Sequence, residues 1–85
     1  SEKRPGAGIL AWPVPFASEL HAAGWQHGEM IQLLDINGRV VAESPANVRG
    51  ETHFKLEHGA SGTYILTGMG NDGKVRRKEL VRVAQ

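Results

Sequence analysis

The sequence contains no cysteine, so it can form no disulfide bond, thiolate metal site or cysteine nucleophile. It also lacks any apolar run near the roughly 20 residues that cross a bilayer as a helix, and no transmembrane segment is expected. Neither sign of charge is in excess: ten Lys and Arg stand against nine Asp and Glu, a net charge of +1. This balance disfavours a dedicated nucleic-acid binder, which carries a clear basic excess.

Uninterrupted stretches long enough for a helix are scarce as well, because eleven glycines and four prolines are scattered over the 85 residues. The apolar residues occur in short runs of roughly 4–8, separated by turn-type residues, which is typical of β-strands. Seven strands are predicted, at 9–12, 19–23, 29–35, 39–43, 51–56, 62–69 and 74–83. One short helix at 15–23 is the alternative. Seven short strands indicate an all-β fold, a seven-stranded antiparallel β-sandwich of immunoglobulin or fibronectin-III type.

The segment DINGR at 35–39 resembles the start of a calcium loop. An EF-hand loop, however, needs oxygen ligands running on to a bidentate Glu, with a helix on either side. Here Arg39 follows at once and both flanks are strand-like. A tight β-hairpin is therefore predicted, with Asn37 and Gly38 at positive φ. The residues at 71–73 (NDG) predict a second hairpin of the same kind.

Four histidines are present without the spacing of metal ligands, which predicts no metal site and no cofactor. They are His21, His27, His53 and His58. Three or more ligands would converge only through an accident of the fold. No serine lies in a nucleophile elbow, and so small a domain has little room for a deep pocket. We therefore expect no enzymatic activity.

The end of the chain carries a cluster of basic residues: Lys74, Arg76, Arg77, Lys78 and Arg82. It predicts either a solvated face on an edge strand or a strand offered to a protein partner by β-augmentation. No aromatic residue interleaves with this cluster, which argues against nucleic acid. Leu80 is out of phase with the valines of the same strand, and a bulge at 78–79 is predicted to reconcile them.

Tyr64 stands near the start of the sixth predicted strand, where sandwich domains often carry a tyrosine corner. Its hydroxyl is expected to bond back to the chain just upstream, with Gly62 forming the turn. The two tryptophans, Trp12 and Trp25, are expected to fill the edge of the core.

Four motifs in order resemble the C-terminal sorting domain of proteins exported by the type IX secretion system of Bacteroidetes. They are WPVPFASEL at 12–20, IQLLDINGRVV at 31–41, LEHGASGTYIL at 56–66 and KVRRKELVRV at 74–83. The matching residues are Pro13, Pro15, Phe16, Leu20, Asp35, Gly38, Arg39, Val41, Gly62, Tyr64, Lys78, Leu80 and Val81. Gly59 takes a position that often holds leucine in the family, which predicts a thinner core there.

The resemblance implies a secretion address rather than an activity. Residues 9–85 would be the sorting domain and residues 1–8 the linker to an upstream protein. The resemblance further implies passage through the periplasm, recognition by the outer-membrane translocon, sortase cleavage in the linker and delivery to the cell surface or the medium.

We expect the terminal strand to be the recognition element, at Lys78, Leu80, Val81, Arg82 and Val83. A terminal edge strand offers backbone hydrogen bonds that do not depend on the passenger. The same edge could also pair with a second copy of the chain. A fibronectin-like adhesion or carbohydrate-binding module is the alternative, and it requires Trp12 or Trp25 to be exposed.

Overall fold

Seven β-strands make up the regular structure of the chain, which the computed structural model describes over residues 8–83. They are β1 (Leu10–Trp12), β2 (Glu19–Ala23), β3 (Met30–Leu34), β4 (Val40–Pro45), β5 (Thr52–Lys55), β6 (Gly62–Met69) and β7 (Val75–Arg82). Two of the strands, β2 and β6, have the predicted bounds, and the alternative helix at 15–23 is wrong. Apart from its last residue, the predicted linker at 1–8 lies outside the described residues.

The strands form two antiparallel sheets, β1-β2-β5 and β4-β3-β6-β7. This arrangement confirms the predicted seven-stranded sandwich. Between residues 8 and 83 the chain forms no helix that could cross a membrane.

The core lies between the sheets, and its residues follow the two-residue period of the strands. In β2, Leu20 and Ala22 are fully buried while their neighbours are not. The largest fully buried side chains are Phe16, Leu20, Ile31, Leu33 and Leu66. Burying each of them contributes roughly 1.5–3 kcal/mol to folding before entropy is subtracted.

The β3–β4 connection is a tight hairpin that Asp35 organises. Its Oδ1 atom accepts hydrogen bonds from the backbone N–H groups of Asn37 and Arg39, each at 2.9 Å. Gly38 has a φ of 84°, whereas Asn37 does not have a positive φ. The predicted hairpin is therefore confirmed, but with one positive-φ residue instead of two. The DINGR segment is a turn, and its carboxylate is engaged by the backbone.

The β4–β5 connection repeats this geometry with an asparagine. Oδ1 of Asn47 accepts from the N–H groups of Arg49 at 2.9 Å and Glu51 at 3.0 Å, and Gly50 has a φ of 75°. Two residues predicted as loop, Ser44 and Pro45, belong to β4 instead. The turn carries the chain from the four-stranded sheet to the three-stranded sheet.

Candidate functional site

The terminal strand β7 turns Arg76 and Arg82 inward and its valines outward. It pairs with β6 along its whole length without a register shift, so the predicted bulge at 78–79 is wrong. Leu80 and Arg82 are buried, whereas Val75 and Val81 are 56% and 53% exposed. The side chains of the strand alternate regularly between the two faces, but the valines, which hydrophobic patterning places inward, point outward.

Main-chain carbonyl groups hold the guanidinium of Arg82. Its Nε atom donates to the carbonyl oxygen of Ala17 at 2.7 Å, and Nη1 donates to that of His58 at 3.1 Å. The Nη2 atom lies 3.5 Å from the carbonyl oxygen of Leu56. No carboxylate among residues 8–83 forms an ion pair with Arg82. Carbonyl dipoles therefore supply most of the compensation for burying this charge.

Two aromatic rings and a glycine complete the Arg82 site. The Cζ atom of Arg82 lies 6.0 Å from the centroid of Phe16 and 5.7 Å from that of Tyr64. The Tyr64 hydroxyl donates to the carbonyl oxygen of Ala60 at 2.7 Å, which confirms the tyrosine corner. A Cβ atom at Gly59 would collide with Nη1 of Arg82. The thinner core predicted at Gly59 is therefore wrong, because a guanidinium fills the space.

Arg76 fastens the other end of β7. Its Nη2 atom lies 2.6 Å from Oε1 of Glu29, whose side chain is only 1% exposed. Its Nη1 atom donates to the carbonyl oxygen of Gly24 at 2.9 Å, and Cζ lies 5.2 Å from the ring centroid of Trp25. A Cβ atom at Gly68 would come within 2.9 Å of both Glu29 and Trp25. The missing side chain at Gly68 thus makes room for the ion pair.

The basic cluster does not form a single solvated face. Arg77 and Lys74 are exposed and Lys78 is partly buried, whereas Arg76 and Arg82 point into the sandwich. Charge alone does not distinguish these five residues, because their burial depends on which face of the strand each one occupies. Arginine tolerates this burial because its planar, five-donor group can satisfy several carbonyls at once.

The edge of β7 is covered at its end by the segment before β2. The N–H of Phe16 donates to the carbonyl oxygen of Val81 at 3.1 Å, and the N–H of Val83 donates to the carbonyl oxygen of Phe16 at 2.8 Å. Backbone groups of alternate residues point to the same side of a strand, so those of Arg77 and Glu79 face this edge too. Within residues 8–83, no strand pairs with that open part.

The five residues predicted for recognition are therefore divided between the surface and the interior. Val81 and Val83 are 53% and 44% exposed, and Lys78 is partly buried. Leu80 and Arg82 are buried. Any contact that the last two make with a partner has to be indirect, through the fold.

The other motif residues build the frame around β7. Pro13 and Pro15 are exposed in the bend that delivers Phe16 to the core, and Gly62 begins β6 with a φ of 136°. Phe16 and Leu20 are core residues, Asp35, Gly38 and Arg39 form the hairpin, and Val41 is a half-exposed residue of β4.

Two histidines come together although their spacing predicts no site. His21 and His53 pair directly across β2 and β5, and Glu19 lies beside them. Both histidines occupy strands with the same inward and outward alternation, so they share the outer face. The signal that could have found them is strand phase, which becomes useful only once the pairing of β2 with β5 is known.

The family of secretion system C-terminal sorting domains has a sequence model that matches residues 10–82. This chain belongs to that family. As a type IX C-terminal sorting domain, it serves as a signal for export across the outer membrane towards the cell surface or the medium. The family is one of sorting signals, which ranks the adhesion alternative lower. The tryptophans do not discriminate between the two: Trp25 is buried at the core as predicted, but Trp12 is 43% exposed, which the adhesion alternative requires.

Solved structures share the fold. PorZ, an essential bacterial surface component of the type IX secretion system of Porphyromonas gingivalis, matches with a TM-score of 0.77 and 20% identity. The match covers 89% of this chain and 11% of PorZ, so the chain spans only a small part of that protein. CopC from Methylosinus trichosporium OB3b matches with a TM-score of 0.50 and 16% identity, over 86% of this chain and 80% of CopC. No curated protein sequence matches the chain.

Proposed function

We propose that the type IX translocon recognises this domain at the outer surface of β7, and that export of the parent protein depends on that contact. The observation that supports the proposal is the division of β7 into two faces. Arg82, which is buried, and Arg76, which points inward, fix the strand to the sandwich, and Val81 and Val83 stay exposed. Exposed apolar side chains on a rigid strand are suited to a partner's apolar groove.

The geometry favours contacts to side chains at the end of β7 and contacts to the backbone earlier in the strand, at 77–79. Phe16 already occupies the backbone edge at Val81 and Val83. The open edge groups belong to Arg77 and Glu79, and a partner strand could pair there by β-augmentation. The proposed recognition surface therefore consists of the side chains of Val81 and Val83 together with the open edge at 77–79.

Cleavage by a sortase in the linker is the second part of the proposal. The linker at 1–8 contains Pro5 and two glycines and has no apolar run, a composition that suits an accessible protease substrate. The sorting domain would follow the passenger through the outer membrane and be removed at the surface.

The open edge of β7 would also allow two copies to pair, which sedimentation at increasing concentration would detect.

An export assay with matched point variants tests the recognition surface. The full chain is fused behind a periplasm-targeted fluorescent protein in a type IX-competent host, with a translocon-null strain beside it. We expect fluorescence outside the cell in the competent strain only, and a shortened product if the linker is cleaved.

Changing Val81 and Val83 to Asp should lower export roughly tenfold, because that is the effect of losing one hot spot of a binding interface. Val48→Asp is the matched control, because Val48 is 77% exposed and belongs to the β4–β5 connection. Both variants must keep the wild-type unfolding midpoint. Normal export of the β7 variant would refute the recognition surface while leaving the family function in place. Deleting 79–85 would be less informative, because it also removes the buried side chains of Leu80 and Arg82.

A further inference from the structure

Three side chains with metal-binding atoms meet on the outer face of the three-stranded sheet. Glu19 and His21 come from β2, and His53 comes from β5. His21 lies directly opposite His53 in the sheet register, and Glu19 precedes His21 by two residues, so all three point to the same side. One ligand atom from each lies within 4.8 Å of the others.

Their spacing is close to that of a bound transition-metal ion. The Nε2 atom of His53 lies 3.4 Å from Oε1 of Glu19. Two ligands of a tetrahedral ion with bonds of about 2.1 Å are separated by about 3.4 Å. The imidazoles of His21 and His53 are stacked, with centroids 4.4 Å apart and planes inclined by 11°. The three ligand atoms lie within 4.8 Å of one another, so binding would require the side chains to turn about their χ angles to bring the third atom to the ion.

The two imidazoles are held more firmly than two surface histidines on a loop would be, because they lie on paired strands. Residues directly opposite in an antiparallel sheet have Cβ atoms about 4.5–5.5 Å apart. The ring of Trp12 also stacks on His21, with the two ring centroids 5.6 Å apart. By itself, the Glu19–His53 contact is a polar contact between two half-exposed side chains and stabilises the fold little.

Space for the remaining ligands of an ion is available beside the rings. An open depression of about 300 Å³ borders His21 and His53, with Ser44, Asn47 and Glu51 on its other walls. Water can therefore complete the coordination. Two imidazoles and one carboxylate with open positions form a ligand set that suits zinc or copper ions.

We propose that Glu19, His21 and His53 bind one divalent transition-metal ion of the Zn²⁺ or Cu²⁺ class. The ion joins β2 to β5 on the sheet that does not contain β7, so the inference is independent of the recognition surface. Binding would stabilise the folded state by mass action, since the unfolded chain does not hold the three ligands together.

Titration calorimetry of the purified chain with Zn²⁺ tests the site directly, and Cu²⁺ quenching of tryptophan fluorescence gives a second readout through Trp12. We expect binding of one ion per chain. His21→Ala and His53→Ala should each weaken it roughly tenfold or more, because two ligands are a much poorer site than three. Glu19→Gln should weaken it less while keeping the side-chain shape.

His27→Ala and His58→Ala are the matched controls, since both histidines are exposed and stand outside the cluster. They should bind Zn²⁺ like the wild type. Unfolding midpoints measured in the presence of a chelator identify any variant that loses structure. If a histidine variant loses structure, the Zn²⁺ affinity of Glu19→Gln still tests the site. The proposal is overturned if the wild type fails to bind Zn²⁺, or if the control variants weaken binding as much as the cluster variants.

Discussion

The inner and outer faces of β7 depart from the usual pattern of a half-buried strand at two arginines and two valines, although Leu80 points inward and Arg77 and Glu79 point outward as expected. The inner face holds Arg76 and Arg82, each with several hydrogen-bond partners. The outer face holds Val75 and Val81, both more than half exposed. Hydrophobic patterning alone would place the valines in the core and the arginines in water.

The difference shows how a strand can be anchored by polar contacts while it exposes apolar side chains. Each arginine bonds to carbonyl groups outside β7, so the strand is tied to both ends of the sandwich. Arg76 also has the Glu29 carboxylate, whereas Arg82 relies on carbonyl groups and ring faces. The inner face thus specifies the position of the strand, and the outer face remains available to a partner.

The largest effect should come from removing the arginine that has no carboxylate partner. Arg82→Ala leaves buried carbonyl groups unpaired and opens a cavity, which should lower the free energy of unfolding by about 3 kcal/mol. Denaturant unfolding followed by tryptophan fluorescence measures the change. Arg82→Lys should recover only part of the loss, because an ammonium group lacks the planar fork. A loss no greater than that of an outer-face variant would contradict this account of Arg82.

The ion pair at the other end should show a smaller loss that a second substitution can relieve. Arg76→Met leaves the Glu29 carboxylate buried without its partner and should cost about 2 kcal/mol. Adding Glu29→Gln removes the unpaired charge, so the double variant should be more stable than Arg76→Met alone. The same unfolding experiment on the two variants decides the matter. If Glu29→Gln fails to recover stability, the ion pair is not what anchors this end.

The smallest effect is expected on the outer face. Val75→Thr and Val81→Thr keep the β-branched shape at exposed positions and should change stability by less than about 0.5 kcal/mol. Their unfolding midpoints should coincide with that of the wild type within error. A loss comparable to that of Arg76→Met would mean that the valines are structural, and the contrast between the two faces would disappear.

Much of the fold could be predicted from the sequence because the informative patterns are local. Strand β2 places Leu20 and Ala22 on one face and Glu19 and His21 on the other, and glycines and prolines separate the strands. The tyrosine corner was predictable for the same reason, since Tyr64 and its acceptor are four residues apart. Family membership followed from four motifs in order, and the sequence model over residues 10–82 agrees.

The phase of β7 could not be predicted, because it depends on partners far away in the chain. Arg82 bonds to the carbonyl oxygen of Ala17, 65 residues earlier, and Arg76 to Glu29, 47 residues earlier. The predicted bulge follows from valines that point inward, and β7 needs none because its valines point outward. The glycine at position 59 indicated lost core volume in the sequence, yet it leaves room for a guanidinium that approaches from another strand.

The sequence by itself determined the class of this protein: the strands, the turns, the sorting-domain family and the core residues that follow strand periodicity. Tertiary structure alone decided which side of β7 faces the core, which part of its edge is open and which histidines meet. The physical reason is the separation, along the chain, of the residues that interact. Propensity and alternation act between neighbours along the chain, whereas burial of an arginine or convergence of His21 with His53 requires the pairing of strands that the chain itself keeps apart.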